Sequence, residues 1–192
     1  MGALVALPYP AMAHGLLRLR FACSGCGRCC RDLRVPLTLA DARRLPSSAI
    51  AWLRPDEVDM SGEPESFVLL PEGRRLLVLA QHDNACVFLT DDGCSVYERR
   101  PSACRMYPFD VSLGRKHGVR RLKLLAPDLC FGDTRGWTNP TSLAHQHLAH
   151  EGELRAHVAD VQAFNRRQLR RQRLGLPLLP AAHFIGSAAC DP

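Results

Sequence analysis

The sequence predicts an α+β fold, in which a small, loop-rich domain of short β-hairpins is followed by one or two C-terminal helices. In the first two thirds of the chain, short apolar runs are separated by turn sequences, which is typical of hairpins. Residues 141–174 contain few helix breakers, and their apolar residues recur at helical spacing. Strands and helices do not alternate as a doubly wound parallel sheet would require. The 192 residues most simply form one domain with its own hydrophobic core.

Extended segments are predicted on either side of a cysteine-rich loop. Apolar and basic residues alternate over residues 16–21, which indicates a short strand, and residues 33–37 form a second extended segment. Thr38 has the character of a helix N-cap, so we expect a short helix over residues 39–45. Residues 50–65 are weakly patterned, and we expect a surface connection with local turns of helix there.

The middle of the chain predicts a complete hairpin. Residues 66–70 and 74–80 are apolar runs, and they are joined by Pro71-Glu72-Gly73, a favourable turn sequence. We expect a strand over residues 86–90, followed by a turn at Asp91-Asp92-Gly93 that leads into Cys94. Residues 95–109 are expected to be helical or looped, and residues 119–126 to form another strand.

The C-terminal third predicts one kinked helix or two consecutive helices, whose apolar stripe packs on the preceding domain. The stripe consists of Leu154, Val158, Val161, Phe164 and Leu169. Five arginines near the end of this segment are explained by the favourable position of cations at a helix C-terminus, rather than by a nucleic-acid patch. From Gly175 onward, a Pro- and Ala-rich tail is expected to pack loosely.

The chain therefore divides into four predicted segments. These are an N-terminal extension (1–15), a cysteine-rich domain (16–135), a helical segment that packs on it (136–175), and a tail (176–192).

Composition and charge narrow the class of partner and the compartment. A net charge of +6 permits acidic partners, but only 6% of residues are aromatic and no reading element is evident, so nucleic-acid binding is not expected. No apolar run is long enough to span a bilayer. The first thirteen residues lack the basic start of a secretory signal, so we expect a reducing cytoplasm, with cysteines serving as metal ligands rather than as a disulfide framework.

The strongest chemical signal is the loop FACSGCGRCC at residues 21–30. Its thiols are Cys23, Cys26, Cys29 and Cys30. Cys-x2-Cys-x2-Cys is the spacing at which a tight loop wraps three thiolates around a metal centre, and Gly25 and Gly27 allow the necessary sharp turns. Neighbouring side chains usually diverge, so Cys29 and Cys30 are not expected to bind one tetrahedral ion together, and a disulfide between them would be strained. Cys30 would then face a different metal, or a different iron of one cluster, from its neighbour.

Further cysteines lie beside turn or proline signals downstream, namely Cys86, Cys94, Cys104 and Cys130. With the loop they make eight thiols, the number that two four-thiolate sites require. Cys190 lies alone in the tail and is expected to be a free thiol. Four histidines cluster on the predicted C-terminal helix, namely His145, His147, His150 and His157. They have no thiol or carboxylate on the same helix face to complete a site, so we do not expect them to bind metal.

Three blocks together resemble the CxxCxxCC cysteine-cluster family, the YkgJ-type zinc- or iron-chelating proteins. The blocks are FACSGCGRCC, CVFLTDDGCSVYERRPSACRMYPF at residues 86–109, and Cys130. The resemblance implies the eight ligands Cys23, Cys26, Cys29, Cys30, Cys86, Cys94, Cys104 and Cys130. Some larger relatives are flagellin lysine methylases thought to use an iron–sulfur cluster. This chain matches only their shared cysteine domain.

The cysteine spacing favours an iron–sulfur cluster, most simply one or two 4Fe–4S centres, over zinc. Zinc sites usually show paired Cys-x2-4-Cys motifs, whereas the later cysteines are singly spaced, with seven, nine and twenty-five residues between them. The residues that could lie beside the ligands and tune the metal are Arg100, Arg105, Tyr107 and Asp83. Ion pairing is an equally good explanation of the two arginines, and core packing is the better explanation of Tyr107.

Three functions stay open on the sequence alone. The first is an iron–sulfur protein with a redox or cluster-dependent role, which would need a redox or other protein partner. The second is a zinc-stabilised interaction module. The third is a protein-modifying, lysine methylase-like enzyme. No Ser-His-Asp signature, phosphate-binding P-loop or GxGxxG motif supports a conventional hydrolase, kinase or nicotinamide enzyme.

Overall fold

The computed structural model describes residues 21–58, 64–115, 118–125 and 136–186. The helices are α1 (Cys29–Asp32), α2 (Leu39–Arg44), α3 (Ser102–Met106), α4 (Pro140–Arg173) and α5 (Ala181–Gly186). The strands are β1 (Ile50–Leu53), β2 (Val68–Leu70), β3 (Gly73–Leu79), β4 (Gln81–His82), β5 (Ala85–Cys86), β6 (Leu89–Thr90), β7 (Gly93–Cys94), β8 (Phe109–Leu113) and β9 (Val119–Leu124). This combination of short antiparallel strand pairs and a long C-terminal helix confirms the predicted α+β class.

Strands β1, β2 and β3 form a three-stranded antiparallel sheet in the order β1-β3-β2. The predicted hairpin is confirmed as β2–β3, and it closes at Gly73, whose φ of +103° suits glycine. The other edge strand, β1, corrects the expectation of a surface connection for residues 50–53, whereas the expected turns of helix are confirmed at Pro55–Glu57 and Pro64–Ser66. Residues 50–53 pair with β3 from Ile50↔Leu79 to Leu53↔Leu76. A weakly patterned segment becomes a strand here because its partner is a buried apolar strand.

Residues 33–37 continue the β2 edge of the sheet, as their predicted extended conformation allows. Pro36 forms a bridge with Val78, the N–H of Leu37 donates to the carbonyl of Leu77 at 3.0 Å, and the N–H of Leu79 donates to Val35 at 2.9 Å. The predicted N-cap follows at once. Thr38 Oγ1 accepts the N–H of Asp41 and starts α2, which ends one residue before the predicted boundary.

The main core lies between this sheet and the helices α2, α4 and α5. It is formed by Leu37, Leu39, Ala42, Ala49, Val68, Leu70, Leu77, Leu79, Val161, Phe164 and Phe184. The C-terminal third is one helix, α4, of 34 residues, which settles the choice between one helix and two. Gln168 of α4 is fully buried and links this helix to β2 and to the segment before α5. Its Nε2 donates to the carbonyls of Leu69 and Leu179, and its Oε1 accepts the N–H of Leu179.

The expectation of a loosely packed tail is wrong for residues 181–186. Residues 181–186 form α5, and Phe184 is only 1% exposed. Its ring meets those of Phe164, His157 and Trp52 edge-on, with centroids 5.3, 6.1 and 6.2 Å away. The Pro- and Ala-rich composition suggested a loose tail, but one aromatic side chain, Phe184, packs the segment into the core.

A second hairpin, β8–β9, carries a smaller core of its own. Strand β9 was predicted, whereas β8 was not, and β8 meets the segment 95–109 only at Phe109. That segment is helical or looped as expected, with a 3-10 turn at Tyr97–Arg99 and α3. This core consists of Phe21, Met106, Phe109, Val111 and Leu143. Phe21 packs edge-on against Phe109, with ring centroids 4.9 Å apart. The predicted strand over residues 16–21 otherwise lies outside the described residues, as does the N-terminal extension.

Within the described ranges, none of the helices combines the length and apolar character that crossing a membrane demands.

Candidate metal centre

The cysteine loop turns at its two glycines. Gly25 and Gly27 both have φ of +69°, a left-handed conformation that favours glycine, as the sequence predicted. The loop then tightens into α1, since the N–H of Cys30 donates to the carbonyl of Gly27 at 3.1 Å and that of Arg31 to Arg28 at 2.9 Å. Cys29 and Cys30 are thus the first two residues of a short helical turn.

The loop packs closely on the β6–β7 hairpin. A Cβ atom at Gly27 would lie 2.9 Å from Leu89 Cδ1, and one at Gly93 would lie 3.6 Å from the carbonyl oxygen of Gly25. Leu89 is also the cross-strand partner of Cys94. The absence of a side chain at Gly27 therefore lets the loop approach the hairpin that carries Cys94.

Two adjacent hairpins present Cys86 and Cys94. Between β4 and β5, Asp83 and Asn84 have φ of +49° and +58°, the two-residue turn that suits a tight hairpin. The predicted strand over residues 86–90 is split into β5 and β6, which corrects its boundaries. At the split, the N–H of Phe88 points to Cys86 Sγ at 3.5 Å. The predicted turn before Cys94 is confirmed between β6 and β7.

The structure gathers five thiols into one electrostatic environment: Cys29, Cys30, Cys86, Cys94 and Cys104. Burial raises the pKa of Cys104 to about 12 and also raises the pKa of Cys86, and nearby cysteines add to both shifts. The charges of these thiols, on α1, β5, β7 and α3, therefore act on one another although the residues lie far apart in the sequence. Of these elements, α1 packs directly against β5.

Cys29 and Cys30 influence each other's ionisation. The thiol of Cys30 lowers the pKa of Cys29 to about 7, and that of Cys29 raises the pKa of Cys30 above its ordinary value. Each sulfur rotates about its own Cα–Cβ bond, so adjacent thiols can turn toward each other or apart. That the two side chains serve different metal atoms stays a prediction.

The remaining cysteines are placed differently. Cys23 and Cys26 are exposed at the outer part of the loop, and Cys130 and Cys190 lie outside the described residues. In the described part of the chain, no three Cys, His, Asp or Glu side chains come close enough to enclose one ion.

Arg100 is the best placed of the charged residues predicted near the ligands. Its Nε donates to the carbonyl of Tyr97 at 2.8 Å, and its guanidinium lies 3.7 Å from the centroid of the Tyr97 ring. Its positive charge contributes to lowering the pKa of Cys29 and opposes the increase in the pKa of Cys104. Arg100 can therefore stabilise thiolates in this cluster.

The other three residues have contacts of their own. Arg105 pairs with Glu153, 3.8 Å from Nη2 to Oε1, in agreement with the ion-pair explanation. Asp83 is 90% exposed and contacts its neighbour His82, so the hairpin turn accounts for it. Tyr107 is half-buried directly after α3, and its N–H donates to Ala103 at 3.0 Å. A role of these residues beside a metal stays a prediction.

Two of the C-terminal histidines act as contacts between helices. His150 Nδ1 lies 3.0 Å from Ser102 Oγ, and His157 Nδ1 accepts the N–H of Leu39 at 3.1 Å. Sequence reasoning missed Asp41, which bonds both Thr38 and Ser102. The Thr-x-x-Asp spacing of a capping box predicts the contact of Asp41 with Thr38, but no local sequence pattern predicts its contact with Ser102.

Comparison with known proteins gives one match. The family model CxxCxxCC, described as "Putative zinc- or iron-chelating domain", matches residues 22–130, more than half of the chain. This match supports metal binding by the cysteine domain. Neither the curated proteins nor the solved structures contain a match to this chain.

Proposed function

The chain belongs to the CxxCxxCC family, and on this premise we propose that its cysteines bind an iron–sulfur cluster with a redox or cluster-dependent role. The observation that carries the proposal is the gathering of Cys29, Cys30, Cys86, Cys94 and Cys104 in one environment. A single zinc ion takes four ligands, so five thiols whose charges act on one another favour a centre with more than one metal atom.

The donor set suits such a centre. Thiolates hold iron–sulfur clusters, and these five lie on two short helices, α1 and α3, and two short strands, β5 and β7. The family pattern adds Cys23, Cys26 and Cys130, for eight ligands in all. When bound, the cluster would supply one-electron chemistry, and a partner protein would deliver and accept the electron.

Arg100 is the residue of this chain that would tune such a centre. It is held against Tyr97 by a hydrogen bond and by stacking, and its charge already favours the thiolate of Cys29. Positive charge near the sulfurs stabilises the more negative, reduced state of a cluster and so raises its reduction potential.

Zinc is the second candidate. The hairpins that present Cys86 and Cys94 are short and closed by two-residue turns, which fixes their backbone, and four cysteine thiolates are a common ligand set of structural zinc sites. In that case the centre would be structural, and the cysteine domain would serve as an interaction module.

Anaerobic purification after iron-replete expression distinguishes the two metals. We expect a brown protein that contains iron and acid-labile sulfide, with a paramagnetic signal in one of its redox states. Cys104→Ser should lower the iron content, whereas Cys190→Ser, outside the ligand set, is the matched control. A colourless protein with stoichiometric zinc would refute the iron–sulfur proposal in favour of the second candidate. A protein that binds neither metal would refute both.

A further inference from the structure

Asp41 is a buried carboxylate in the first turn of α2, and its side chain is only 1% exposed. Oδ2 accepts the N–H and the hydroxyl of Thr38 at 3.1 and 2.9 Å. Oδ1 accepts the N–H of Ser102 at 3.0 Å, and Oδ2 also accepts the Ser102 hydroxyl at 3.2 Å. Arg44 supplies a compensating positive charge. A buried carboxylate needs this full set of partners, because without them its desolvation would be costly.

Ser102 begins α3, the helix that carries Cys104. Pro101 precedes it and provides no side-chain cap, so the first N–H groups of α3 need an acceptor from elsewhere. Asp41 provides that acceptor across 61 positions of sequence. With only five residues, α3 cannot persist through its own hydrogen bonds, and contacts of this kind determine where it lies.

We propose that Asp41 is a positioning residue for the metal centre, which holds the first turn of α3 and thereby orients the Cys104 thiol. The inference rests on the proposed metal-binding function. Cys104 is two residues from Ser102, so any movement of the first turn of α3 moves its sulfur. The family match covers Asp41, but the ligand pattern consists of cysteines and assigns it no role.

Helix α4 holds the same turn from the other side. Because the Ser102 hydroxyl donates to Asp41, the His150 ring donates its Nδ1–H to Ser102 Oγ at 3.0 Å. Glu153, one helical turn further along, pairs with both Arg44 and Arg105. Cys104 therefore sits on a short helix that α2 and α4 clamp through polar contacts.

A purely structural role and a positioning role for Asp41 differ in what they predict for the Cys104 thiol. Loss of its hydrogen bonds would lower stability in either case, so stability alone does not discriminate. Gln168→Leu provides the matched control, because Gln168 is fully buried and bonds Leu69 and Leu179, on the part of α4 that packs against the sheet and α5. A positioning role predicts an effect at Cys104 that this control lacks.

The deciding measurement is the rate at which Cys104 is alkylated, relative to Cys94, in reduced, metal-free full-length protein, read by mass spectrometry. Asp41→Asn should raise this ratio about fivefold or more, the effect of losing one hydrogen bond of ordinary strength. Ser102→Ala, which keeps the backbone contact, is the milder second variant and should raise it about twofold to threefold. Gln168→Leu should leave it unchanged.

Titration with Zn²⁺ against a chromophoric chelator provides the metal readout. We expect the Asp41→Asn protein to bind Zn²⁺ about fivefold or more weakly than the Gln168→Leu protein. An unchanged alkylation ratio in both Asp41→Asn and Ser102→Ala overturns the inference, as does an altered ratio with unchanged Zn²⁺ affinity. If the wild-type protein binds neither Zn²⁺ nor iron, the metal-binding function is refuted, and with it the role of Asp41 toward a metal. The alkylation ratio then still shows whether Asp41 holds α3.

Discussion

His157 should make the stability of this protein depend on pH in a predictable direction. Its ring is 3% exposed on α4, and Nδ1 accepts the N–H of Leu39 at the start of α2. Burial lowers the pKa of His157, while Asp160 and Asp41 oppose part of that shift. Protonated Nδ1 would be a donor facing another donor, so the folded state requires the neutral ring.

The sign of the effect follows from this lowered pKa. The unfolded chain binds a proton at His157 near pH 6.5, whereas the folded protein does so only at a lower pH. The contribution to stability is therefore complete above about pH 6.5, and it is lost as the pH falls from there through the folded-state pKa.

The perturbation that isolates this contribution is His157→Leu, which removes the titrating ring and leaves the N–H of Leu39 without its acceptor. That orphaned N–H should cost about 1–3 kcal/mol of unfolding free energy at pH 7.5. The variant should also lose part of the decrease in stability between pH 6.5 and pH 5. Urea denaturation of reduced, metal-free protein at several pH values measures both effects.

His145→Leu is the matched control, because His145 lies exposed on the same helix. It should change neither the stability at pH 7.5 nor the pH dependence by more than about 0.5 kcal/mol. The reasoning is refuted if His157→Leu retains the full pH dependence of the wild type, or if the wild type becomes more stable between pH 6.5 and pH 5 relative to that variant.

Three further substitutions test the site and the packing. Gly27→Ala should destabilise the apoprotein by about 1–2 kcal/mol and weaken Zn²⁺ binding, because φ is +69° and the added Cβ would crowd Leu89. An unfolding free energy equal to that of the wild type in chemical denaturation would contradict the close packing of the loop on the hairpin. Gly152→Ala should instead stabilise by about 0.5–1 kcal/mol, since it lies within α4 with open space around it, and a lowered Tm would count against this. Phe184→Ala should cost about 3–5 kcal/mol in urea denaturation, whereas a loosely packed tail would leave stability unchanged.

Local patterns were sufficient for several parts of the fold. The β2–β3 turn, the Thr38 cap, the glycine turns of the cysteine loop and the long helix were confirmed. Each depends on interactions among residues a few positions apart, which a sequence displays directly. The strands β1 and β8 were not predicted, because each is defined by a partner strand rather than by its own pattern.

By itself, the sequence determined that this is a cysteine-rich α+β protein of a metal-chelating family, since composition, spacing and motif are properties of the chain. Only the tertiary structure decided that thiols on four separate elements act on one another's charge. It also decided that Asp41 holds the helix of Cys104, and that Phe184 docks α5 into the core. These relations join residues far apart in sequence, so their geometry depends on how the sheet and α4 pack.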